Sequence, residues 1–231
     1  MPVLVTPRKI EDATVREFSM LIDGKWGGGA DGRTLERVAP GHGVVVSRYQ
    51  QASAVDAERA FLAARKAFDD GSWPRMTAAE RSGILLKAAS LIEERLEEIA
   101  YLDAVEAGKP ITQVKGEIAG AVDIWRYAAA LARDLHGESY NTLGDGTLGV
   151  VLREAIGVVS IITPWNFPFL IVSQKLPFAL AAGCTCVVKP SELTSASTLV
   201  LGEILVAKTG DLKEGVSAFK EKRAADFKGE W

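Results

Sequence analysis

Apolar and polar positions change their period several times along this chain. Between residues 20 and 50 the apolar runs are short. They are separated by Asp-Gly, Gly-Gly-Gly and Pro-Gly-His-Gly stretches, so this part predicts short β-strands joined by glycine-rich turns. The GGG at 27–29 reads as a loop tip, because no helix follows it directly. From Ser53 the period becomes helical. Ser53 and Asp56 form a capping pair, and Ala57, Ala60, Phe61, Ala64, Ala67 and Phe68 make one apolar stripe that ends at Gly71. Thr77 and Glu80 repeat the capping signature. Ile84, Leu85, Ala88, Leu91, Ile92 and Ile99 continue at helical spacing until Gly108 and Pro110 stop the helix. A third helix carries Ile118, Val122, Trp125, Ala129 and Ala132 and stops at Gly137. From 157 strands alternate with helices. Gly157–Thr163 is β-rich, Phe169–Ala182 is helical with a kink at Pro177, CTCVVKP is a second strand, and Thr194–Lys208 is a second helix. Ala196, Val200, Ile204 and Ala207 share one face of that helix. This alternation predicts the start of a parallel, doubly wound α/β sheet.

GDGTLG at 144–149 matches G-x-G-x-x-G, but VVLREAIGVV follows it and reads as strand. The dinucleotide fingerprint needs a helix there, so a hairpin turn is the better reading. The chain has 231 residues, 48% of them hydrophobic and 25% charged, which allows a substantial core. A net charge of −3 gives no reason to expect nucleic acid or an acidic membrane surface as partner. No apolar run reaches membrane-spanning length, and the first eighteen residues lack a secretory pattern. Cys184 and Cys186 are the only cysteines. Two cysteines two apart form no disulfide framework and fit a reducing cytoplasm. His42 and His136 are far apart, so no metal site is expected.

Ligands of open parallel sheets bind beyond the carboxyl ends of the strands. The first such end reads TPWN and the second KPSE. A rigidly held side-chain amide at Asn166, between Pro164 and Pro168, could donate to a developing oxyanion; it could equally satisfy a local turn. Lys189 and Glu192 could grip the hydroxyls of a nucleotide ribose, or form a solvated pair before a helix capped by Ser191 or Thr194. A glutamate there disfavours a 2′-phosphate, which leans toward NAD over NADP. Cys184 and Cys186 flank Thr185 on a strand meant to be buried. An apolar setting keeps a thiol protonated, so neither is expected to be a nucleophile.

Several motifs occur together and in order: LIDGKW at 21–26, APGHG, the long capped helix, GKP at 108–110, REAIGVVSIITPWNFP and LPFALAAGCTCVVKPSE. Over about residues 18–205 the sequence resembles the aldehyde dehydrogenase superfamily. The resemblance implies an α/β fold with an incomplete Rossmann-like sheet and an NAD(P)-dependent oxidation of an aldehyde to an acid. It implies that Asn166 stabilises the oxyanion, that Ile162, Thr163, Pro164 and Trp165 line the nicotinamide side of an NAD groove, and that Lys189, Ser191 and Glu192 hold the adenosine ribose. The family's nucleophilic cysteine, general-base glutamate and pyrophosphate turn belong to later motifs that this sequence does not contain, so the chain is expected to be inactive alone.

Past Leu205 the sequence resembles the C-terminal tail of the enoyl-CoA hydratase (crotonase) family, through Asp211, Lys213, Glu214, Gly215, Ala218, Phe219, Glu221, Lys222, Arg223, Phe227 and Gly229. The expected organisation is then 1–138 as N-terminal strands and helices, 139–156 as hairpin strands that resemble the family's oligomerisation arm, 157–208 as an incomplete βαβα unit and 209–231 as the tail. Self-association or a complementing dehydrogenase half is expected through unpaired edges. Leu212, Val216 and Phe219 of the tail would cover apolar groups such as Ile161 and Val187, which are otherwise expected to be exposed.

Overall fold

The structure, a computed structural model, describes residues 15–207. The N-terminal part builds two small sheets. Strands β1 (Arg16–Phe18), β4 (Thr34–Val38) and β5 (Val45–Gln50) form one in the order β1-β5-β4, with β1 parallel and β4 antiparallel to β5. Strands β2 (Met20–Ile22) and β3 (Lys25–Gly27) form a hairpin. Its two-residue turn is Asp23-Gly24, with φ of 54° and 68°. That left-handed pair matches the twist of a two-residue hairpin, and Asp-Gly adopts it readily.

Helix α1 (Ala54–Asp69) starts in the expected capping box of Ser53 and Asp56. Its packed face differs from the expected stripe. Asp56 and Ala64 are buried, whereas Ala57, Phe61 and Ala67 face solvent. Asp56 is turned inward because it accepts from the Ala30 amide as well as from its own cap. These hydrogen bonds hold its carboxyl below the usual carboxylate range.

The second predicted helix is two. Helix α2 (Ala78–Glu94) opens on the Thr77–Glu80 box, and helix α3 (Leu96–Ala107) follows after a break at Arg95, whose φ and ψ are −101° and 15°. Gly108 caps α3 at a φ of 71°, where a β-carbon would also meet Pro40 at 2.8 Å. Helix α4 (Ile111–Ala132) carries the expected stripe, and it ends at Arg133, before Gly137. Helices α2, α3 and α4 pack on one another and share a core with the elements that follow.

Strands β6 (Glu138–Tyr140) and β7 (Gly149–Val151) form an antiparallel hairpin around GDGTLG, so that motif is a turn. The strand expected through residue 156 ends at Val151. Strands β8 (Val158–Ile162) and β9 (Thr185–Lys189) are parallel, in register from Val158↔Thr185 to Ile162↔Lys189. Between them the expected single helix is broken into α5 (Pro168–Ser173) and α6 (Leu176–Ala181). Pro177 has no amide hydrogen, and its ring would clash with the carbonyl four residues back. The chain therefore restarts, with Pro177 in the first turn of α6. Helix α7 (Ala196–Ala207) follows β9, and Ala196, Val200 and Ile204 are buried as the periodicity predicts. Helices α1 and α6 pack on the β8–β9 pair. Ile161 is 3% exposed and belongs to the main core with Phe169, Val172 and Leu176, contrary to the expectation that it would need the tail to cover it. The tail lies outside the described residues.

Candidate functional site

The two candidate strand ends lie side by side. Ile162 is directly opposite Lys189, and the Thr163 amide donates to the Lys189 carbonyl at 3.2 Å, which extends the parallel ladder one residue beyond β8. The chain then leaves the sheet as Pro164-Trp165-Asn166-Phe167 before α5 begins at Pro168. Ile162 and Trp165 stand out from this edge, 69% and 54% exposed, while Thr163 is buried with its hydroxyl unpartnered. On the neighbouring strand end, the Lys189 ammonium lies 3.7 Å from the Glu192 carboxylate, and both side chains are 63% exposed. Such a pair is weakly held in solvent and open to exchange for other partners. Ser191 accepts from the Leu193 amide at 3.2 Å, and its carbonyl accepts from the Ser195 hydroxyl at 2.8 Å. Every residue expected at the cofactor groove is therefore at one edge of one two-stranded sheet.

Asn166 is exposed at the outer end of the loop. Its backbone carbonyl accepts from the Lys109 ammonium at 3.2 Å. The same ammonium sits 4.1 Å from the centre of the Phe167 ring and pairs with Glu117 of α4. Beneath the loop, α3 turns two carboxyls into the interior. Asp103 accepts from the Phe169 amide at 3.5 Å, and burial pushes its carboxyl up to about 6 despite the help of Ser197. Glu106 accepts from Ser47 and from the Ala196 amide at 3.1 Å, and burial pushes it up to about 7. Glu106 thus caps the first turn of α7 from another helix, a task the sequence reading assigned to Ser191 or Thr194. Asp103, Glu106 and Lys109 join the site residues only in the folded structure. Their signal was available: carboxylates three apart on the same apolar face as Ile99 and Leu102 do not belong in a core without partners.

The two cysteines are remote from this edge. Cys184 is buried just before β9, and Cys186 lies three residues before Lys189, about 10 Å along a strand. Burial pushes the Cys186 thiol up to about 12. A thiol held protonated in this way is a poor nucleophile. A cavity of about 510 Å³ lies elsewhere, between the β2–β3 hairpin and α1, and none of its lining residues comes from the strand ends.

Parallel strands whose exposed polar groups gather at their carboxyl ends, with a helix after each, define an α/β protein with its candidate ligand site at those ends. Comparison with known proteins makes the class specific. The profile of the aldehyde dehydrogenase family matches residues 26–219, and the chain belongs to that family. The match runs past Leu205, beyond the end of the resemblance carried by the sequence motifs. Aldehyde dehydrogenase family 2 member C4 of Arabidopsis thaliana is 41% identical over 87% of this chain and 40% of its own length. Aminoacetaldehyde dehydrogenase of Pseudomonas aeruginosa is 38% identical over 79% of this chain and 37% of its own. Among solved structures, the NAD-dependent aldehyde dehydrogenase of Sinorhizobium meliloti superposes with a TM-score of 0.82 at 52% identity, over 84% of this chain and 39% of that one. A Staphylococcus aureus betaine aldehyde dehydrogenase variant in complex with NAD+ gives 0.79 at 35% identity, over 81% and 38%. The chain spans about two-fifths of the length of these relatives.

Proposed function

We propose that this chain carries one side of an aldehyde dehydrogenase site, the half that grips the adenosine ribose of NAD and supplies the oxyanion donor. The observation that carries this is the pairing of the ends of β8 and β9, which sends the segments bearing Asn166 on one strand and Lys189 and Glu192 on the other out from the same end of one sheet. The residues fit the cofactor: Lys189 and Glu192 offer a donor and an acceptor to solvent, and the Thr163 hydroxyl is a polar group still lacking a partner. When bound, NAD would supply the hydride acceptor. On this side, Ile162, Thr163, Pro164 and Trp165 would line the nicotinamide half of the groove and exclude water. Ser191 and Lys189 would donate to the ribose, and the Glu192 carboxylate would accept from it while repelling a 2′-phosphate. The Asn166 amide would donate to the oxygen of an aldehyde as negative charge develops there. A cytoplasmic setting belongs to this reading and is supported by the two unpaired thiols.

Among the described residues neither cysteine lies at the groove, and the sequence carries no match to the family's pyrophosphate turn. The purified chain is therefore expected to bind NAD on the order of millimolar at best, and Glu192→Ala should weaken that further. It should reduce no NAD with any aldehyde. Calorimetry giving a micromolar Kd would overturn the half-site, and turnover abolished by Cys184→Ala or Cys186→Ala would mean that the nucleophile has been misplaced.

A second reading rests on the hairpin. Leu143, Leu148, Val150, Leu152 and Ile156 are all more than half exposed around β6 and β7. Apolar groups on two short strands invite association, with a second copy or with a chain that completes the site. In this reading the 231 residues are one component, or a non-enzymatic interaction module. The crotonase-like resemblance of 206–231 then marks an end of separate origin, although the dehydrogenase match overlaps its first part. Sedimentation should show mass rising with concentration, and Leu148→Glu with Leu152→Glu should restore a monomer. A monomer at all concentrations would remove this reading.

A further inference from the structure

Asn166 has an exposed side chain on a loop, and an oxyanion donor must be held rigidly to act. The loop has little of its own to hold it. Pro164 and Pro168 lack amide hydrogens, and among the described residues Lys109 is the only side chain that donates to the backbone of 164–168. We propose that Lys109 is a positioning residue for Asn166: its ammonium, fixed between Glu117 and the Phe167 ring, clamps the Asn166 carbonyl and so sets the direction of the amide. This inference rests on the reading of Asn166 as the oxyanion donor.

The clamp is anchored on rigid elements at every point. The Gly108 and Lys109 amides both donate to the Ala104 carbonyl, at 2.9 and 3.1 Å, so the backbone of Lys109 is part of the α3 cap. Pro110 follows and starts α4, which leaves Lys109 one residue of connection between two helices. The lysine side chain is only 13% exposed and its partner Glu117 only 10%. Glu117 is in turn held by the Gln113 amide at 2.9 Å. An ammonium has three hydrogens. Here one meets the Glu117 carboxylate, one the Asn166 carbonyl, and the charge lies over the face of Phe167 at 4.1 Å. The carbonyl and the ring come from consecutive residues, so one charge fixes both sides of the Asn166–Phe167 peptide. With that plane fixed the Asn166 α-carbon is placed, and the direction of its side chain varies only through the torsion about its Cα–C bond and its own side-chain torsions. A lysine serving helix stability alone would have no reason to reach the loop of another element.

The sequence makes the test direct, because Asn141 and Asn166 are the only asparagines and Asn166–Phe167 is the only Asn-Phe step. Carbonyl-labelled asparagine with nitrogen-labelled phenylalanine gives one carbonyl–amide cross peak in the whole chain. Asparagine labelled at the side-chain nitrogen gives two pairs of signals, with exposed Asn141 as internal control. In Lys109→Met the Asn166 carbonyl should move upfield as its hydrogen bond is lost, and the Asn166 side-chain pair should shift or broaden while the Asn141 pair stays. Lys109→Arg should restore most of the wild-type position. Lys115→Met, which removes the α4 lysine paired with Glu97, should leave the peak in place. An unmoved cross peak in folded Lys109→Met would overturn the proposal. Should that variant fail to fold, Glu117→Gln reads the same peak, which is expected to move in the same direction; an unmoved peak there overturns the proposal equally. The reading of Asn166 itself fails by a different result: turnover of a completed site unchanged by Asn166→Ala, with the Lys109 effect on the peak still present.

Discussion

Trp125→Ala is expected to cost about 3–5 kcal/mol, the range for truncating a buried aromatic side chain. Trp125 has no exposed surface, and it lies on α4 where that helix meets α5 and α6. Two effects act together. The ring leaves a large void in the core cluster that also holds Ile118, Val122, Phe169 and Val172, all with little or no exposed surface. The indole nitrogen also donates to the Ser173 hydroxyl at 3.1 Å, and Ser173 is itself fully buried. Its removal leaves that hydroxyl without a donor in the core. A domain's total stability is about 5–15 kcal/mol, so this single change approaches the whole of it. Urea unfolding followed by circular dichroism should show the midpoint of Trp125→Ala collapsing, and Trp125→Phe should lie between, since it keeps a ring but loses the donor and part of the indole volume. A midpoint for Trp125→Ala close to wild type would show that α4 does not pack as described, and with it the support under the PWNFP loop.

Stability should fall as pH rises from about 4.5 to about 7. Glu106 and Asp103 carry this effect, because burial raises both carboxyls, to about 7 and about 6. The native state then holds protons that the unfolded chain releases nearer pH 4. Between those limits folding binds protons, so the contribution is fully present below the unfolded value and lost as pH passes the folded one. For Glu106 the rise to about 7 from its ordinary value corresponds to about 3 kcal/mol. Opposing groups act in another window. Glu98 is held near 2 by Arg95 and Arg16, so its contribution disappears only as pH falls below about 4.5. Glu106→Gln keeps an acceptor for the Ala196 amide and cannot ionise. It is expected to flatten the melting temperature between pH 5 and 8 and to raise it at pH 8. If the Glu106→Gln profile runs parallel to wild type across that range, Glu106 is not the group that titrates. Glu106→Ala should behave differently. It strips the acceptor from the Ala196 amide and from Ser47, and should destabilise at every pH.

Which elements form here was set largely by local chemistry. Capping boxes at Ser53–Asp56 and Thr77–Glu80, the Asp23-Gly24 turn and the β-branched runs of β8 and β9 each act within a few residues, so a linear reading finds them. The same reading placed Asn166, Lys189 and Glu192 at two strand ends, because sheet topology alone puts ligand-binding groups there, while Ile162 and Thr163 came only from the family resemblance. Partners across the fold were not legible. The split of one predicted helix at Gln174–Lys175 could be traced to Pro177, but the exposure of Phe61 depends on which face of α1 the sheet takes. Glu106 reaching Ala196 across 90 residues, and Lys109 reaching Asn166 across 57, are contacts between separate elements. No local pattern encodes them. The sequence supplied the charges and the helices that carry them. Only packing α3 against α7, and the start of α4 against the PWNFP loop, decided which charge is buried, which is paired and which holds the candidate donor in place.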